Sequence, residues 1–232
     1  MDHRHHFGRR WGIYRTIRAT RMARLFILGA GGFGREVLAW LKQCPEWTAR
    51  WRFEGFLDDN AAALAGYDVC PGVVGTIRDF VPARGDEVVC AIGNPQTRLQ
   101  ICRGLKAVGA VFPTIRHPLS AVGDNCLIGE GCILCPGSVL TSNVHLGAFV
   151  VVNICATVGH DARIGDGVTL SPHADVTGFA TVEEGAFLGS HASVLPNAKV
   201  GSYARVGAGT VVLRHVNSGA TVMGVPAKQI FP

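Results

Sequence analysis

The chain of 232 residues has little net charge outside its first 21 positions, and this excludes one class of partner. Six of the 22 basic residues and one of the 17 acidic residues lie in residues 1–21. Residues 22–232 therefore carry 16 residues of each sign. A neutral body provides no electrostatic footprint for a phosphate backbone. We therefore expect no nucleic-acid partner.

Long apolar runs and paired cysteine motifs are also missing. The longest apolar stretch, residues 148–158, is interrupted by Asn153 and is shorter than the ~18 residues of a membrane helix. Of the eight cysteines, only Cys132 and Cys135 form a CxxC, and no second pair accompanies them. We therefore expect reduced cysteines in a cytoplasmic protein, without a membrane or metal partner.

Residues 1–21 form a basic leader, which has two interpretations. Met22 is followed by an apolar run that leads directly into a glycine loop, without a small-residue cleavage site. We expect the leader to be disordered or dispensable. A targeting peptide or a basic arm is the alternative.

Glycine is abundant, with 30 residues, and the second half of the chain has a period of six. Sixteen positions from Val122 to Val212, taken in steps of six, are all aliphatic. The residues four places after each, from Cys126 to Val216, are all small. This period fits neither an amphipathic helix nor an alternating strand, but is typical of a parallel β-helix. At three hexads per coil, residues 122–217 make about five coils, with glycine or Asp/Asn expected at the turns.

The first half of the chain alternates apolar runs with helical patterns. Strands are predicted at 24–28, 53–57 and 88–92, with helices at 36–41 and 95–108, which indicates a small parallel sheet. A GxGxxG loop follows the first strand, and acidic residues end the second. The candidate ligand-binding residues are Gly29, Gly31, Gly32, Gly34, Asp58, Asp59 and Asn94.

The glycine loop has three possible interpretations. Backbone N–H groups at a helix N-terminus can bind a phosphate, as in NAD-binding folds. However, Asp58 lies 29 residues after Gly29 instead of about 20, and the segment is too short for a full dinucleotide fold. We therefore favour a nucleotide-sugar over NAD, with a purely structural turn as the third possibility.

The order of these segments resembles the NeuD/PglD-type sugar acetyltransferases, within the left-handed β-helix acyltransferases. The resemblance covers residues 24–232. Its motifs are ILGAGGFGREV (27–37), FLDD (56–59), GN-x-x-x-R (93–98), His117-Pro118 and MGVPAK (223–228). It implies a Rossmann-like domain (22–115) that binds a nucleotide-sugar, and a left-handed β-helix domain (116–232) that binds acetyl-CoA. It also implies a homotrimer with acetyl-CoA between neighbouring prisms.

The reacting groups follow from acyl-transfer chemistry together with this resemblance. A base must serve the nucleophile, and histidine is the natural choice. His160 lies at a turn beside Asp161, seven residues after Asn153, as in the family's Asn…His-Glu/Asp motif. The resemblance implies that His160 is the general base and that Asp161 and Asn153 position it. The implied acetyl-CoA contacts are Thr169, Gly178, Pro226 and Lys228, although the family often has a histidine where Thr169 stands.

His173 and His191 form a second histidine pair, 18 residues or one coil apart. We expect them to stack on one edge of the solenoid. The open alternatives are acetyl-CoA contact and a metal site. The His-x4-His spacing of solenoid carbonic anhydrases is absent, which disfavours metal.

The sequence therefore predicts an acetyl-CoA-dependent N-acetyltransferase. Its acceptor would be the 4-amino group of a UDP- or GDP-linked 4-amino-4,6-dideoxysugar, such as perosamine or bacillosamine. O-acetylation of a sugar of the sialic-acid type is the first alternative, because the same base would serve a hydroxyl. A non-catalytic trimeric sugar-nucleotide-binding scaffold is the second.

Overall fold

The computed structural model describes residues 22–231, so the leader lies outside the described residues. The first part is a four-stranded parallel sheet with the order β3-β2-β1-β4. Its strands are β1 (Ala23–Leu28), β2 (Trp51–Leu57), β3 (Val73–Gly75) and β4 (Glu87–Cys90). The helices are α1 (Gly32–Leu41), α2 (Glu46–Ala49) and α3 (Pro95–Ala107). None of these helices has the length or hydropathy needed to cross a bilayer.

Residues 115–231 form a parallel β-solenoid with three sheets, named here sheets 1, 2 and 3 in the order the chain visits them. Sheet 1 contains β5 (Ile115–Arg116), β8 (Ile133–Leu134), β11 (Val151–Val152), β14 (Thr169–Leu170), β17 (Phe187–Leu188), β20 (Arg205–Val206), β23 (Thr221–Met223) and β24 (Lys228–Phe231). Sheet 2 contains β6 (Ala121–Val122), β9 (Val139–Leu140), β12 (Thr157–Val158), β15 (Asp175–Val176), β18 (Ser193–Val194) and β21 (Val211–Val212). Sheet 3 contains β7 (Leu127–Ile128), β10 (His145–Leu146), β13 (Arg163–Ile164), β16 (Thr181–Val182), β19 (Lys199–Val200) and β22 (His215–Val216).

The hexapeptide pattern places each residue in the coil. The aliphatic residue is the second of each two-residue strand and points into the core, as Val158 and Val176 do with no exposed surface. The small residue that precedes the next strand is also buried at the corner, as Ala162 is. The prediction of a parallel β-helix preceded by a small α/β domain is confirmed.

The turns use glycine in two ways, of which the left-handed turn position is the expected one. A glycine directly after a strand, such as Gly159, keeps an ordinary φ, but a Cβ there would lie 2.7 Å from the backbone nitrogen of Gly178 in the next coil. Close approach between coils therefore requires it. The left-handed turn residue comes two positions later, where glycines such as Gly167 and Asn or Asp residues such as Asp161 lie as expected. Ten non-glycine residues have φ between 53 and 62° at this position, including His, Phe, Tyr and Cys residues.

The repeat shortens in the last coil, which corrects one prediction. Strand β22 follows β21 after two intervening residues instead of four, so Val216 pairs with Val200 as an inward strand residue. Val216 is therefore not the small corner residue that the period predicted, and Ala220 takes that place. The solenoid also begins earlier than Val122, at β5.

Helix α3 fixes the small domain to the solenoid. Its Leu99 lies over the turn between sheets 3 and 1, where a Cβ on Gly167 would be 2.4 Å from the Leu99 side chain. Phe112 and Phe149 pack edge to face at 5.1 Å across the same junction. Arg103 of α3 forms ion pairs with Asp166 and Glu184 on successive coils. Apolar packing and charge together hold the two parts in one arrangement.

Candidate functional site

The glycine loop joins β1 to α1 at the carboxyl end of the small sheet. Gly34 packs so tightly that a Cβ there would lie 2.0 Å from the carbonyl oxygen of Gly29, and Gly29 itself has φ of 89°. Both glycines are required by the turn and by helix–strand packing. In contrast, Gly31 and Gly32 are exposed, and a Cβ on Gly31 would meet nothing within 4 Å. The start of α1 therefore presents backbone N–H groups to an open surface that can receive a phosphate.

Asp58 and Asp59 also lie at this edge, and the carboxylates of both accept hydrogen bonds from backbone N–H groups. Asp58 accepts hydrogen bonds from the N–H groups of Ala30 and Asn60, each at 2.8 Å. Asp59 accepts from the N–H of Ile77 at 3.0 Å. The first contact ties the glycine loop to the end of β2. A carboxylate has about four acceptor sites, so both residues retain capacity for a ligand donor.

Asn94 begins α3 beside the same loop. Its side-chain oxygen accepts from the N–H of Thr97 at 3.0 Å, which makes it the N-cap of the helix. The Ala91 N–H donates to Leu28 at 2.8 Å, which brings the ends of β4 and β1 together. The capping role leaves the exposed amide nitrogen of Asn94 available for a ligand.

His160 lies at the corner between sheets 2 and 3. Its Nδ1 is 2.9 Å from Oδ2 of Asp161, and both side chains are partly exposed. Asp161 has φ of 60°, so the left-handed turn residue carries the carboxylate that contacts the preceding imidazole. An Nδ1–H bonded to a carboxylate leaves Nε2 as the proton acceptor. The pair has the arrangement of a general base and its orienting group.

Gly178 lies against the His160 ring, one coil further along the solenoid. A Cβ on Gly178 would be 2.7 Å from Nε2 and from Cε1 of His160. Within residues 22–231, the Gly178 N–H donates to no acceptor. The site therefore combines an imidazole nitrogen with a nearby free backbone donor, which is the pairing needed to accept a proton and stabilise an oxyanion.

Asn153 lies away from this pair. It belongs to the corner between sheets 1 and 2, on the other side of β12, and its Oδ1 accepts from the N–H of Ile154 at 2.7 Å. The structure brings Asp161 and Gly178 to His160, but forms no hydrogen bond between Asn153 and His160.

Thr169 has a structural partner. Its side chain is buried, and its hydroxyl accepts from the Arg98 guanidinium at 2.8 Å. This contact lies at the junction with α3, in sheet 1, whereas His160 lies at the corner between sheets 2 and 3. We therefore leave Thr169 out of the proposed acetyl-CoA site.

Pro226 and Lys228 lie in the hairpin that closes the solenoid. Lys228 pairs with Met223 across β23 and β24, and both Pro226 and Lys228 are exposed. The hairpin is tied to the last coil through the Ala227 N–H, which donates to Val211 at 2.9 Å. The exposed lysine and proline remain available for a ligand that runs along the solenoid.

His173 and His191 stack as predicted, with ring centroids 4.8 Å apart and an angle of 2° between planes. Both are exposed turn residues at the corner between sheets 1 and 2. Among the described residues, no three His, Cys, Asp or Glu side chains are grouped as a metal site would require.

Sequence reasoning missed the roles of two residues. Arg98 is fully buried at the junction and binds groups more than 50 residues away, although only its place in the GN-x-x-x-R motif marked it. Phe179 packs edge to face on His160, with centroids 5.1 Å apart. The sequence does contain a signal for Phe179, which is a bulky aromatic residue at a turn position of the hexad where glycine, Asp or Asn is expected.

Comparisons with known proteins agree with this architecture. The PglD N-terminal domain matches residues 24–105. The hexapeptide repeat of succinyl-transferase matches residues 121–154, and the six-repeat bacterial transferase hexapeptide matches residues 179–214. The GDP-perosamine N-acetyltransferase of Escherichia coli O157:H7 is 34% identical over 160 residues, which are 68% of this chain and 71% of the relative.

Solved structures extend the similarity over most of the chain. WeeI from Acinetobacter baumannii AYE is 32% identical with a TM-score of 0.78, covering 89% of this chain and 99% of that one. The acetyltransferase domain of PglB from Neisseria gonorrhoeae FA1090, in complex with acetyl coenzyme A, is 30% identical with a TM-score of 0.79, covering 90% and 100%. PerB from Caulobacter crescentus, in complex with CoA and GDP-perosamine, is 29% identical with a TM-score of 0.77, covering 88% and 96%.

Fold, repeat and relatives therefore agree with one another. The extent of the match to the E. coli and A. baumannii proteins is sufficient to assign the family. The chain belongs to the NeuD/PglD-like sugar acetyltransferases and is an acetyl-CoA-dependent N-acetyltransferase of nucleotide-linked sugars.

Proposed function

We propose that this enzyme acetylates the 4-amino group of a GDP-linked 4-amino-4,6-dideoxysugar, with His160 as the general base. The observation that carries the proposal is the geometry around His160. Nδ1 contacts Asp161 at 2.9 Å, and the backbone of Gly178 lies next to Nε2. A polarised imidazole and a free backbone donor are the groups that transfer from a thioester to an amine requires.

The chemical step follows from these roles. The neutral amine attacks the thioester carbonyl, and its nitrogen forms a bond to the carbonyl carbon. The carbonyl oxygen gains charge and accepts a hydrogen bond from the Gly178 N–H. The intermediate then expels CoA as the C–S bond breaks. His160 Nε2 takes the proton that the nitrogen loses and returns it to the leaving thiolate, while Asp161 stabilises the imidazolium.

The small domain supplies the nucleotide site in this proposal. The diphosphate lies at the start of α1, over Gly31 and Gly32, which are open to solvent. Asp58, Asp59 and Asn94 surround the same edge and supply acceptors and an amide donor for the base and ribose. We favour GDP over UDP because the E. coli relative is named for GDP-perosamine and PerB was crystallised with it.

Acetyl-CoA lies along the solenoid in this proposal. Its reacting end is at His160, and Pro226 and Lys228 of the closing hairpin contact its more distant part. The exposed ammonium of Lys228 suits a phosphate or pantetheine oxygen. As the family resemblance implies, neighbouring solenoids of a homotrimer form the cleft. Static light scattering on the purified protein tests for a mass of three chains, and the cytoplasmic location stays a prediction.

An acceptor panel tests the reaction. Thiol release from acetyl-CoA is followed with GDP- and UDP-linked 4-amino-4,6-dideoxysugars and with sialic acid, and mass spectrometry identifies the product. We expect the GDP-linked amine to have the highest kcat/KM and to become an acetamide. Turnover of the hydroxyl acceptor alone would replace N-acetylation by O-acetylation. If none of the acceptors in the panel gives thiol release, the non-catalytic scaffold is favoured.

A further inference from the structure

Phe179 occupies a backbone position that does not suit phenylalanine. It is the left-handed turn residue, with φ of 58°, at the corner between sheets 2 and 3. Asparagine and aspartate tolerate this conformation best, whereas a bulky side chain there is an outlier. The residues with positive φ on the other coils of this corner follow that preference, being Asn125, Asn143, Asp161 and Asn197. Phe179 is the aromatic exception among them.

Burial within the chain does not compensate for this conformation. Phe179 is 55% exposed. The aromatic residues at left-handed turns of the corner between sheets 3 and 1 have partners elsewhere in the chain. Phe149 is buried against Phe112, and the Tyr203 hydroxyl donates to Glu184 at 2.6 Å. The only aromatic contact of Phe179 within residues 22–231 is with His160.

The contact with His160 fixes where the exposed part of the ring lies. The two rings are perpendicular, at 88°, with centroids 5.1 Å apart, and the Phe179 N–H donates to the His160 carbonyl at 2.9 Å. The Phe179 ring therefore lies directly beside the imidazole, and a molecule that hydrogen bonds to His160 lies close to that ring. Gly178, which has no side chain, leaves this approach open.

We propose that Phe179 is a specificity-determining residue that packs on the acceptor sugar. This rests on the proposed function, in which His160 Nε2 meets the sugar amine. The sugar carbon that bears the amine is one bond from the amine nitrogen, and the neighbouring carbons of the sugar ring present C–H groups. An aromatic ring beside the base is suited to that apolar surface and excludes water from the amine. In the proposed function the thioester carbonyl is bound by the Gly178 N–H. The Phe179 ring therefore selects the acceptor sugar and not the acetyl donor.

Binding of the acceptor with and without its sugar tests this directly. Titration calorimetry compares GDP with the GDP-linked 4-amino-4,6-dideoxysugar, on wild type and on Phe179→Asn, without acetyl-CoA. We expect the Kd of the GDP-sugar to rise about tenfold in the variant, because a partly buried aromatic contact is lost. The Kd of GDP alone should stay within twofold of wild type. Phe179→Tyr keeps the ring and should bind the GDP-sugar within about threefold of wild type.

Stability and kinetics separate this role from a structural one. Asparagine suits the left-handed turn, so Phe179→Asn should leave the Tm unchanged or raise it by about 2 °C. Asn125→Phe, the reverse exchange on another coil of the same corner, should lower the Tm and leave turnover unchanged. In steady state, Phe179→Asn should raise KM for the sugar nucleotide but not for acetyl-CoA.

Several results would overturn the proposal. Equal Kd values of the GDP-sugar for wild type and Phe179→Asn would show that the ring does not contact the sugar. A rise in KM for acetyl-CoA alone would assign the ring to the donor, and a fall in kcat with both KM values unchanged would make it only a positioning residue for His160. Binding is measured without turnover, so a wild type that binds the GDP-sugar but releases no thiol refutes the proposed function instead.

Discussion

Replacing Arg98 should destabilise the whole protein, because one buried guanidinium joins its two parts. Arg98 is 1% exposed, and none of its hydrogen-bond partners among the described residues is a carboxylate. Burial disfavours the charged form and lowers the pKa of the guanidinium. Its N–H groups donate to six acceptors, which are the backbone oxygens of Ile92, Gly93, Phe149, Gly167 and Val168 and the Thr169 hydroxyl.

The magnitude follows from the four short contacts, which measure 2.6 to 3.0 Å. Arg98→Met retains most of the volume but leaves these four acceptors without their donor, at about 1 kcal/mol each. Methionine avoids the desolvation cost of the guanidinium, which offsets part of that loss. We expect the free energy of unfolding to fall by about 3 kcal/mol, or about 10 °C in Tm. Arg98→Lys should lower the free energy of unfolding by a similar amount, because an ammonium has only three donors and lacks the planar geometry of the guanidinium.

Urea denaturation followed by tryptophan fluorescence measures the loss. Arg103→Met is the matched control: it removes a neighbouring arginine whose ion pairs are half exposed, and should cost less than about 1 kcal/mol. A free energy of unfolding for Arg98→Met within about 1 kcal/mol of wild type would refute the reasoning. An Arg98→Lys variant as stable as wild type would show that a positive charge at this position is sufficient for stability, without the hydrogen bonds of the guanidinium.

Two further substitutions test the site and the pH dependence of stability. Gly178→Ala places a Cβ 2.7 Å from His160 Nε2, so kcat should fall by about 100-fold or more in the thiol-release assay; Gly104→Ala, which meets no atom within 4 Å, should retain activity. Burial alone would raise the pKa of Asp86, but hydrogen bonds from Arg24 and the Ala83 N–H hold it below the usual value. That stabilisation is present above the unfolded pKa of about 3.9 and is lost as pH falls through the folded pKa. Asp86→Asn should therefore lower the urea midpoint at pH 7 by much more than at pH 2, and an equal loss at both pH values would contradict this.

The solenoid could be predicted because each of its residues has an environment set by local position in the hexad. Aliphatic residues such as Val158 and small residues such as Ala162 repeat this environment coil after coil. The shortened last coil was missed because Val216 satisfies the small-residue pattern and the inward strand position equally well. Strand β3 was missed because its three residues give no alternation to detect.

The candidate site was predictable only where it is local in sequence. His160 and Asp161 are adjacent in sequence, so the turn that contains both residues also brings their side chains within hydrogen-bond distance. The contact between Arg98 and Thr169 spans 71 residues and depends on how α3 packs on the solenoid, which no local pattern encodes. Thr169 was therefore expected at the acetyl-CoA site, while the structure gives its hydroxyl to Arg98.

The central claim, that His160 is the general base, is tested most directly by His160→Ala. Thiol release from acetyl-CoA is measured with the GDP-linked 4-amino-4,6-dideoxysugar, alongside the Kd of that acceptor and the Tm. The account predicts a kcat lower by about 1000-fold, with the Tm unchanged because His160 is a partly exposed turn residue. A variant that retains kcat within about tenfold of wild type would contradict the account, since a positioned base contributes at least about 100-fold.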